Sequence, residues 1–228
     1  MPQIDIRGVI VPDDDLWIYE WFGMDAVAPK KVRQALQDAK GSSVEVLINS
    51  GGGDVMAGVE IYTILREYSG KVLIKIQSFA ASAAAVISQA GESEMSPAAQ
   101  LMIHNVSSYA SGDNRDMEHM AEVLANANKA LAAAFVAKTG KSEADILDLM
   151  AKETWFTAEQ AVKEGFVDRV MFANSQTFGN SVQLAASHGS GLLPANVIEY
   201  AKRHFNNQTA EAKAKAQYDY MILEGKTK

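Results

Sequence analysis

The stretch VEVLINSGGGDVMAGVEIYTILREYSGKVLIKIQ, residues 44–77, decides the fold. Its two ends, VEVLINS and KVLIKIQ, are rich in valine, isoleucine and leucine, which is typical of strands buried on both faces of a sheet. Between them, three glycines form a turn, and apolar residues then recur at helical spacing from Val55 to Leu65. A strand, a helix and a second strand in this order predict a βαβ unit with two parallel strands.

The alternation of strands and helices continues on both sides of this unit. QIDIRGVI near the start predicts an earlier strand, and QLMIHNV at residues 100–106 predicts a later one. A long helical segment follows from about residue 113 to residue 139, and two shorter helices precede a closing strand, FVDRVMF. We therefore expect an α/β fold with a largely parallel sheet.

The composition is that of an ordinary globular protein. The formal net charge of -7 argues against a general nucleic-acid-binding surface. The chain shows neither a signal-peptide pattern nor an apolar segment long enough to cross a bilayer. It has no cysteine, and no two histidines have metal-ligand spacing. We expect a cytoplasmic protein with no metal or other cofactor, which binds neither nucleic acid nor membrane.

The composition changes after residue 172. Residues 173–228 are polar and weakly periodic, with moderate helix potential and no strong apolar face. Such a segment is expected to be ordered only where a partner or a neighbouring subunit holds it. We therefore predict two parts: a main domain of residues 1–172 and a C-terminal extension of residues 173–228.

The segment QSFAASAAAVISQAG, residues 77–91, surrounds Ser82 with alanines at a junction between a strand and a helix. A serine in this position commonly caps the helix by accepting hydrogen bonds from the amides that follow it. The alternative is a nucleophile, because the positive end of the helix dipole favours the negative charge that develops in acyl transfer. The pattern around this residue leaves both interpretations open.

Two further side chains and one turn have similar alternatives. His104 ends an apolar strand, so it is either a core histidine bonded to backbone or a functional group at a carboxyl strand end. Glu153 precedes the bulky residues TWF, which could bury a carboxylate that would otherwise be solvated. The glycine run at residues 51–53 is either a plain tight turn or a cradle whose amides approach an anion.

Four segments taken together resemble the Clp protease proteolytic subunit (ClpP) family of serine peptidases. INSGGGDVMAGVEIY resembles its glycine block, FAASAAAVI the block of the nucleophile, LMIHN the block of the base, and ETWFTAEQAVKEGFVD the block of the acid. The blocks occur in the family's order and cover about residues 4–172. The resemblance implies a ClpP/crotonase-like spiral of βαβ units with a protruding handle helix at about residues 113–139.

The resemblance also implies the roles of individual residues. It makes Ser82 the nucleophile, His104 the general base, and Glu153 the third member of the triad, where the family has aspartate. The backbone amides of Gly53 and Ala83 would form the oxyanion hole.

Gly52, Phe79 and Asn105 are predicted to contact substrate. Asp148 and Asp168 are the alternatives for the acid.

The resemblance implies a serine endopeptidase that cleaves proteins or peptides inside a homo-oligomeric ring or double ring. Departures at Gly51, Phe79 and Val106 make the chain look more like the head-maturation (prohead) proteases of phages and prophages. A phage capsid or scaffold protein would then be the substrate, and the need for an ATP-dependent unfoldase stays open. The alternatives are a crotonase-like acyl-CoA enzyme and a ring-forming assembly protein with a weak triad.

Overall fold

The structure is a computed structural model that describes residues 1–172 and 192–205. Its strands are β1 (Gln3–Ile10), β2 (Ala26–Val27), β3 (Val44–Gly53), β4 (Val72–Ala81), β5 (Glu92–Met95), β6 (Gln100–Ile103), β7 (Thr154–Thr157) and β8 (Arg169–Val170). Its helices are α1 (Leu16–Trp21), α2 (Pro29–Ala39), α3 (Val55–Glu67), α4 (Ala83–Ile87), α5 (Asn114–Thr139), α6 (Glu143–Ala151), α7 (Ala158–Lys163) and α8 (Ala195–Phe205). A single 3-10 turn, Ser88–Ala90, follows α4.

The described strands form one sheet in the order β2-β1-β3-β4-β5-β8, and all pairs along this path are parallel. The strand β4 has two successive neighbours on one edge. Residues Leu73 to Ile76 pair with β5, and residues Phe79 to Ala81 pair with β6. The strand β7 then adds to β6 in the antiparallel direction. The predicted α/β fold with a largely parallel sheet is confirmed.

The central strands are buried on both faces, as their unbroken apolar sequences predict. Ile6, Ile48 and Ile74, from three adjacent strands, are completely inaccessible to solvent. The helix α3 covers this core with Ile61 and Leu65, which are also inaccessible. Each such side chain stabilises the folded state by about 1.5–3 kcal/mol relative to leaving it exposed.

Helix starts are the best-predicted local features. The predicted long helix is α5, which begins at the capping box of Asp113 and Asp116 and ends before Gly140. The predicted closing strand, FVDRVMF, is shorter than expected, because only Arg169–Val170 pair with β5. The amides of Phe166 and Val167 instead donate to the carbonyl oxygen of Ala161 at the end of α7, so they are not available to a sheet.

The described part of the predicted extension is the segment 192–205, which includes α8. It packs on a second apolar cluster that is separate from the main core and contains Val9, Val11, Ile18, Tyr19, Ala28 and Ala201. The other residues of the extension, 173–191 and 206–228, lie outside the described residues. The predicted boundary at residue 173 therefore stays a prediction. Within the described ranges, no helix is both long and apolar enough to cross a membrane.

Asp168 links three parts of the fold. Its Oδ2 accepts hydrogen bonds from the Ser93 amide at 2.6 Å, the Ser93 hydroxyl at 3.0 Å and Lys138 Nζ at 2.5 Å. Burial raises the pKa of Asp168, but the hydrogen bonds from Lys138 and Ser93 outweigh it and hold the pKa below its usual value. Asp168 thus joins β5 and α5 to the segment that leads into β8.

We expect Asp168→Asn to lower the free energy of unfolding at neutral pH by about 1–2 kcal/mol, because three donor groups, the amide and hydroxyl of Ser93 and the ammonium of Lys138, lose a charged acceptor. A lowered pKa in the folded state means that ionised Asp168 stabilises the protein fully above about pH 4, the ordinary aspartate pKa. This stabilisation is lost as the pH falls through the lowered pKa of the folded protein. Urea denaturation at several pH values measures the difference, which should shrink on acidification.

Asp148→Asn is the matched control. Asp148 forms an exposed ion pair with Lys152, one helical turn away, and such pairs contribute at most about 0.5 kcal/mol. Equal losses in the two variants, or a loss for Asp168→Asn that grows at acid pH, would contradict the structural role of Asp168.

Candidate active site

Ser82 and His104 lie together because they follow two strands that pair with each other. The strand β4 ends at Ala81 and β6 ends at Ile103, and Ala81 is in register with Met102. Both residues therefore lie at carboxyl ends of parallel strands, where ligands bind in open α/β sheets. The Nε2 atom of His104 lies 2.8 Å from the Oγ atom of Ser82, which is hydrogen-bond distance.

Ser82 has a strained backbone. Its φ of 56° and ψ of -124° lie in a region that residues with a side chain rarely adopt. Such strain costs about 1–3 kcal/mol and collects at functional sites. Within the described chain, the Ser82 side chain makes no capping hydrogen bond to α4. The capping alternative is thus not realised, and the sharp turn presents Oγ to His104 instead.

The small residues around Ser82 are required by close packing. A Cβ atom added to Gly52 would lie 2.7 Å from Ser82 Cβ and 2.8 Å from the carbonyl oxygen of Ala81. One added to Gly58 of α3 would lie 2.8 Å from Ala83 Cβ. The turn that carries Ser82 is therefore packed directly on the glycine turn after β3 and on the first half of α3.

The side chain of Ser50, which the sequence patterns did not single out, fixes the glycine turn by two hydrogen bonds. Ser50 is almost completely buried, and its hydroxyl donates to the carbonyl oxygen of Gly8 at 2.6 Å. The same oxygen accepts from the amide of Gly52 at 3.1 Å. Because that amide points to Ser50, a role for Gly52 in substrate binding stays a prediction.

A small cleft of about 100 Å³ opens beside the serine and histidine. Its polar lining includes Asn105 and the predicted oxyanion-hole residue Gly53. The rest of the wall is mostly apolar and consists of Val55, Val86, Ile103, Val106, Ser107, Leu131, Phe135 and Leu192. The sequence patterns indicated neither the α5 residues of this wall nor Leu192, because they are distant along the chain and resemble ordinary core residues.

Two residues near the cleft have structural contacts of their own. Asn128 of α5 accepts a hydrogen bond from the Val106 amide at 2.7 Å and so fixes the segment that follows His104. Phe79, predicted to bind substrate, stacks on Trp155 with ring centroids 5.6 Å apart. Phe79 is not among the described residues that line the cleft, and its contact with substrate stays a prediction.

The strand register locates Glu153 relative to His104. In the antiparallel pair, Ile103 lies opposite Thr154, which is the last pair of the register. His104 directly follows the first of these residues and Glu153 directly precedes the second. Glu153 has a left-handed φ of 49°, and its Oε1 accepts from Trp155 Nε1 at 3.3 Å.

Of the two alternatives for Glu153, the structure shows the solvated one, because the residue is exposed. The residues TWF that follow it form β7, so they extend away along β6 instead of folding over the carboxylate. The two alternative acids are engaged elsewhere, Asp148 with Lys152 and Asp168 with Lys138 and Ser93. Among the described residues, no group of three potential ligands is placed to hold a metal ion.

Comparison with known proteins adds a family match. The family model for Clp protease matches residues 25–174, which is more than half of the chain. ATP-dependent Clp protease proteolytic subunit 1 of Streptomyces avermitilis is 36% identical over 133 residues, covering 57% of this chain and 61% of the relative. Proteolytic subunit 2 of Rhodococcus jostii is 31% identical over 139 residues, covering 60% of this chain and 71% of the relative. The chain thus matches less than two thirds of the length of the first of these relatives.

The packing of Gly52 on Ser82 gives a test of the site's construction. We expect Gly52→Ala to destabilise the protein by about 1–3 kcal/mol, because its φ of 96° disfavours a side chain and the added methyl group overlaps Ser82. Gly51→Ala is the control, since a Cβ there meets only the Phe79 ring at 3.6 Å, an ordinary contact. Thermal and urea unfolding measure both variants, and equal stability would contradict the packing.

Proposed function

This chain belongs to the Clp protease family, and on that basis we propose that it is a serine endopeptidase with Ser82 as the nucleophile and His104 as the general base. The observation that carries the proposal is the 2.8 Å contact between Ser82 Oγ and His104 Nε2 at a strained turn between a strand and a helix. The family match does not favour the crotonase-like acyl-CoA alternative.

The proposed reaction proceeds through an acyl-enzyme. His104 Nε2 takes the hydroxyl proton as Ser82 Oγ attacks the carbonyl carbon of the peptide bond. The amides of Gly53 and Ala83 would stabilise the oxyanion, and such donors contribute about 3 kcal/mol each. His104 then gives the proton to the leaving amine, and the C–N bond breaks. Water, activated by the same histidine, hydrolyses the ester and regenerates the serine.

We assign the third position of the triad to Glu153. The strand pairing supports this assignment, because His104 directly follows Ile103 and Glu153 directly precedes Thr154, and these two residues face each other. A glutamate side chain is one methylene longer than the family's aspartate, so it needs a displaced backbone to reach the same imidazole nitrogen. An ionised carboxylate there would orient the imidazole and stabilise its protonated form.

The substrates and partners are finer proposals. Relatives named as ATP-dependent proteases favour a partner ATPase that unfolds protein substrates. The departures at Gly51, Phe79 and Val106 favour instead an unfoldase-independent role on a phage capsid or scaffold protein. The second role is our proposal, and cleavage of such a protein by the purified chain, with no ATPase added, tests it.

A fluorophosphonate probe tests the chemistry. We expect it to label Ser82, because only an activated serine reacts, and mass spectrometry locates the adduct. Labelling should disappear in Ser82→Ala and should slow by at least about 100-fold in His104→Ala, as expected when a general base is lost. Glu153→Gln should slow it by at least about tenfold, whereas the control Asp148→Asn should be unaffected.

Other outcomes would overturn parts of the proposal. A protein that is not labelled at Ser82 in any assembled state would favour the ring-forming assembly protein with a weak triad. Acyl-CoA turnover that survives Ser82→Ala would favour the crotonase-like enzyme. Normal labelling of Glu153→Gln, with Ser82 still reactive, would remove Glu153 from the triad and leave the other two assignments standing.

We also propose that α5 joins subunits in a ring or double ring. Its last turns are buried through Leu131 and Phe135, whereas its first turns are largely exposed and present the apolar residues Met117 and Val123. Exposed apolar side chains on a protruding helix are typical of an interface.

Sedimentation measures the assembly. We expect a mass several times the 24.6 kDa of one chain, and Val123→Asp should reduce it because a charge would be buried at the interface. Glu122→Asp, at an exposed neighbouring position that keeps its charge, is the control. A mass of one chain at working concentration would contradict the ring.

A further inference from the structure

The segment 192–205, which we call the strap, lies against the candidate active site. Leu192, its first residue, lines the same cleft as Ser82 and His104. With Leu192 in place, the cleft measures about 100 Å³. Pockets that bury small ligands usually measure about 300 Å³ or more, so the cleft with Leu192 in its wall is about a third of that size.

A hydrogen bond fixes the position of the strap beside Leu192. The amide of Leu193 donates to the hydroxyl oxygen of Tyr19 at 2.9 Å. Tyr19 is completely buried, and burial raises the pKa of its hydroxyl. The hydroxyl therefore stays protonated and fixed in the apolar cluster beneath the strap, and it holds the strap one residue away from Leu192, which lines the cleft and is 41% exposed.

The helix α8 provides a second anchor. Ala201 is almost completely buried in the cluster with Ile18 and Tyr19. Lys202 forms an ion pair with Asp15, which has little exposure. Removing Lys202 would leave the Asp15 carboxylate with little access to water and without this ion pair, so loss of the contact disfavours the docked position.

The polar anchors of the strap lie outside the part of the chain that matches the family. The match spans residues 25–174, whereas Tyr19 and Asp15 precede it and the strap follows it. These contacts therefore join two segments that the family match does not include, and Leu192 extends one of them to the Ser82–His104 cleft.

We infer that the strap is an intramolecular inhibitor: docked α8 holds Leu192 in the cleft, and substrate binds only when Leu192 leaves. This inference rests on the proposed endopeptidase function. A tethered occupant is present at a high effective concentration, so it competes with substrate even if its own affinity is modest. Because only the undocked fraction binds substrate, the strap raises KM and leaves kcat unchanged.

Two variants of the full chain release the strap at different points. Leu192→Ala removes the side chain in the cleft, and Lys202→Ala removes the ion pair with Asp15. We expect each to lower the KM for a short peptide about three- to tenfold at constant kcat, and to speed fluorophosphonate labelling of Ser82 by the same factor. Arg203→Ala is the control. Arg203 forms an ion pair with the exposed Glu199 one turn earlier in the same helix, so its loss should change neither KM nor the labelling rate.

Hydrogen exchange tests the strap without relying on peptide cleavage or on labelling of Ser82. The amides of residues 104–107, which line the cleft, should exchange faster in Leu192→Ala and Lys202→Ala than in Arg203→Ala. Unchanged exchange and unchanged KM in both variants, with Ser82 still labelled, would overturn the strap and leave the proposed function intact. Faster exchange without labelling of Ser82 in any variant would overturn the proposed function and, with it, the inhibition.

Discussion

The pairing of β4 with β6 is the constraint on which the candidate site depends. Ser82 follows one strand and His104 follows the other, so a few backbone hydrogen bonds set the 2.8 Å distance between Oγ and Nε2. The amide of Ser82 continues this pairing by donating to the carbonyl oxygen of Met102. The strained backbone of Ser82 persists because sheet pairing on one side and the packed glycine turn on the other hold it in this conformation.

The patterns that depend on neighbouring residues were predictable from the sequence. Strand sequences such as VEVLINS and the long helix at about residues 113–139 appear in the structure where the sequence predicts them. The four motif blocks also identified Ser82 and His104, which the structure brings together. The short strands β5 and β7 were missed, because four residues carry too little periodicity and their pairing is decided by the strands beside them.

The parts of the site that depend on distant contacts could not be predicted. Ser50, Asn128 and Leu192 have unremarkable local sequences, and their importance follows from what the fold places next to them. Glu153 shows the opposite limitation. The motif located the residue, but the local sequence left its burial open, and the structure leaves it exposed because the residues after it form an extended strand.

The contact between Leu193 and Tyr19 joins residues 174 positions apart, and this separation orders events during synthesis. A ribosome releases the amino-terminal part of a chain first, so α1, Ser82 and His104 all emerge before the residues that dock on them. Closing so long a loop also costs more conformational entropy than forming a local contact, and contacts of this kind form more slowly during folding. In each newly made chain, Ser82 and His104 are therefore synthesised before Leu192, the residue that lines their cleft from the far end of the sequence.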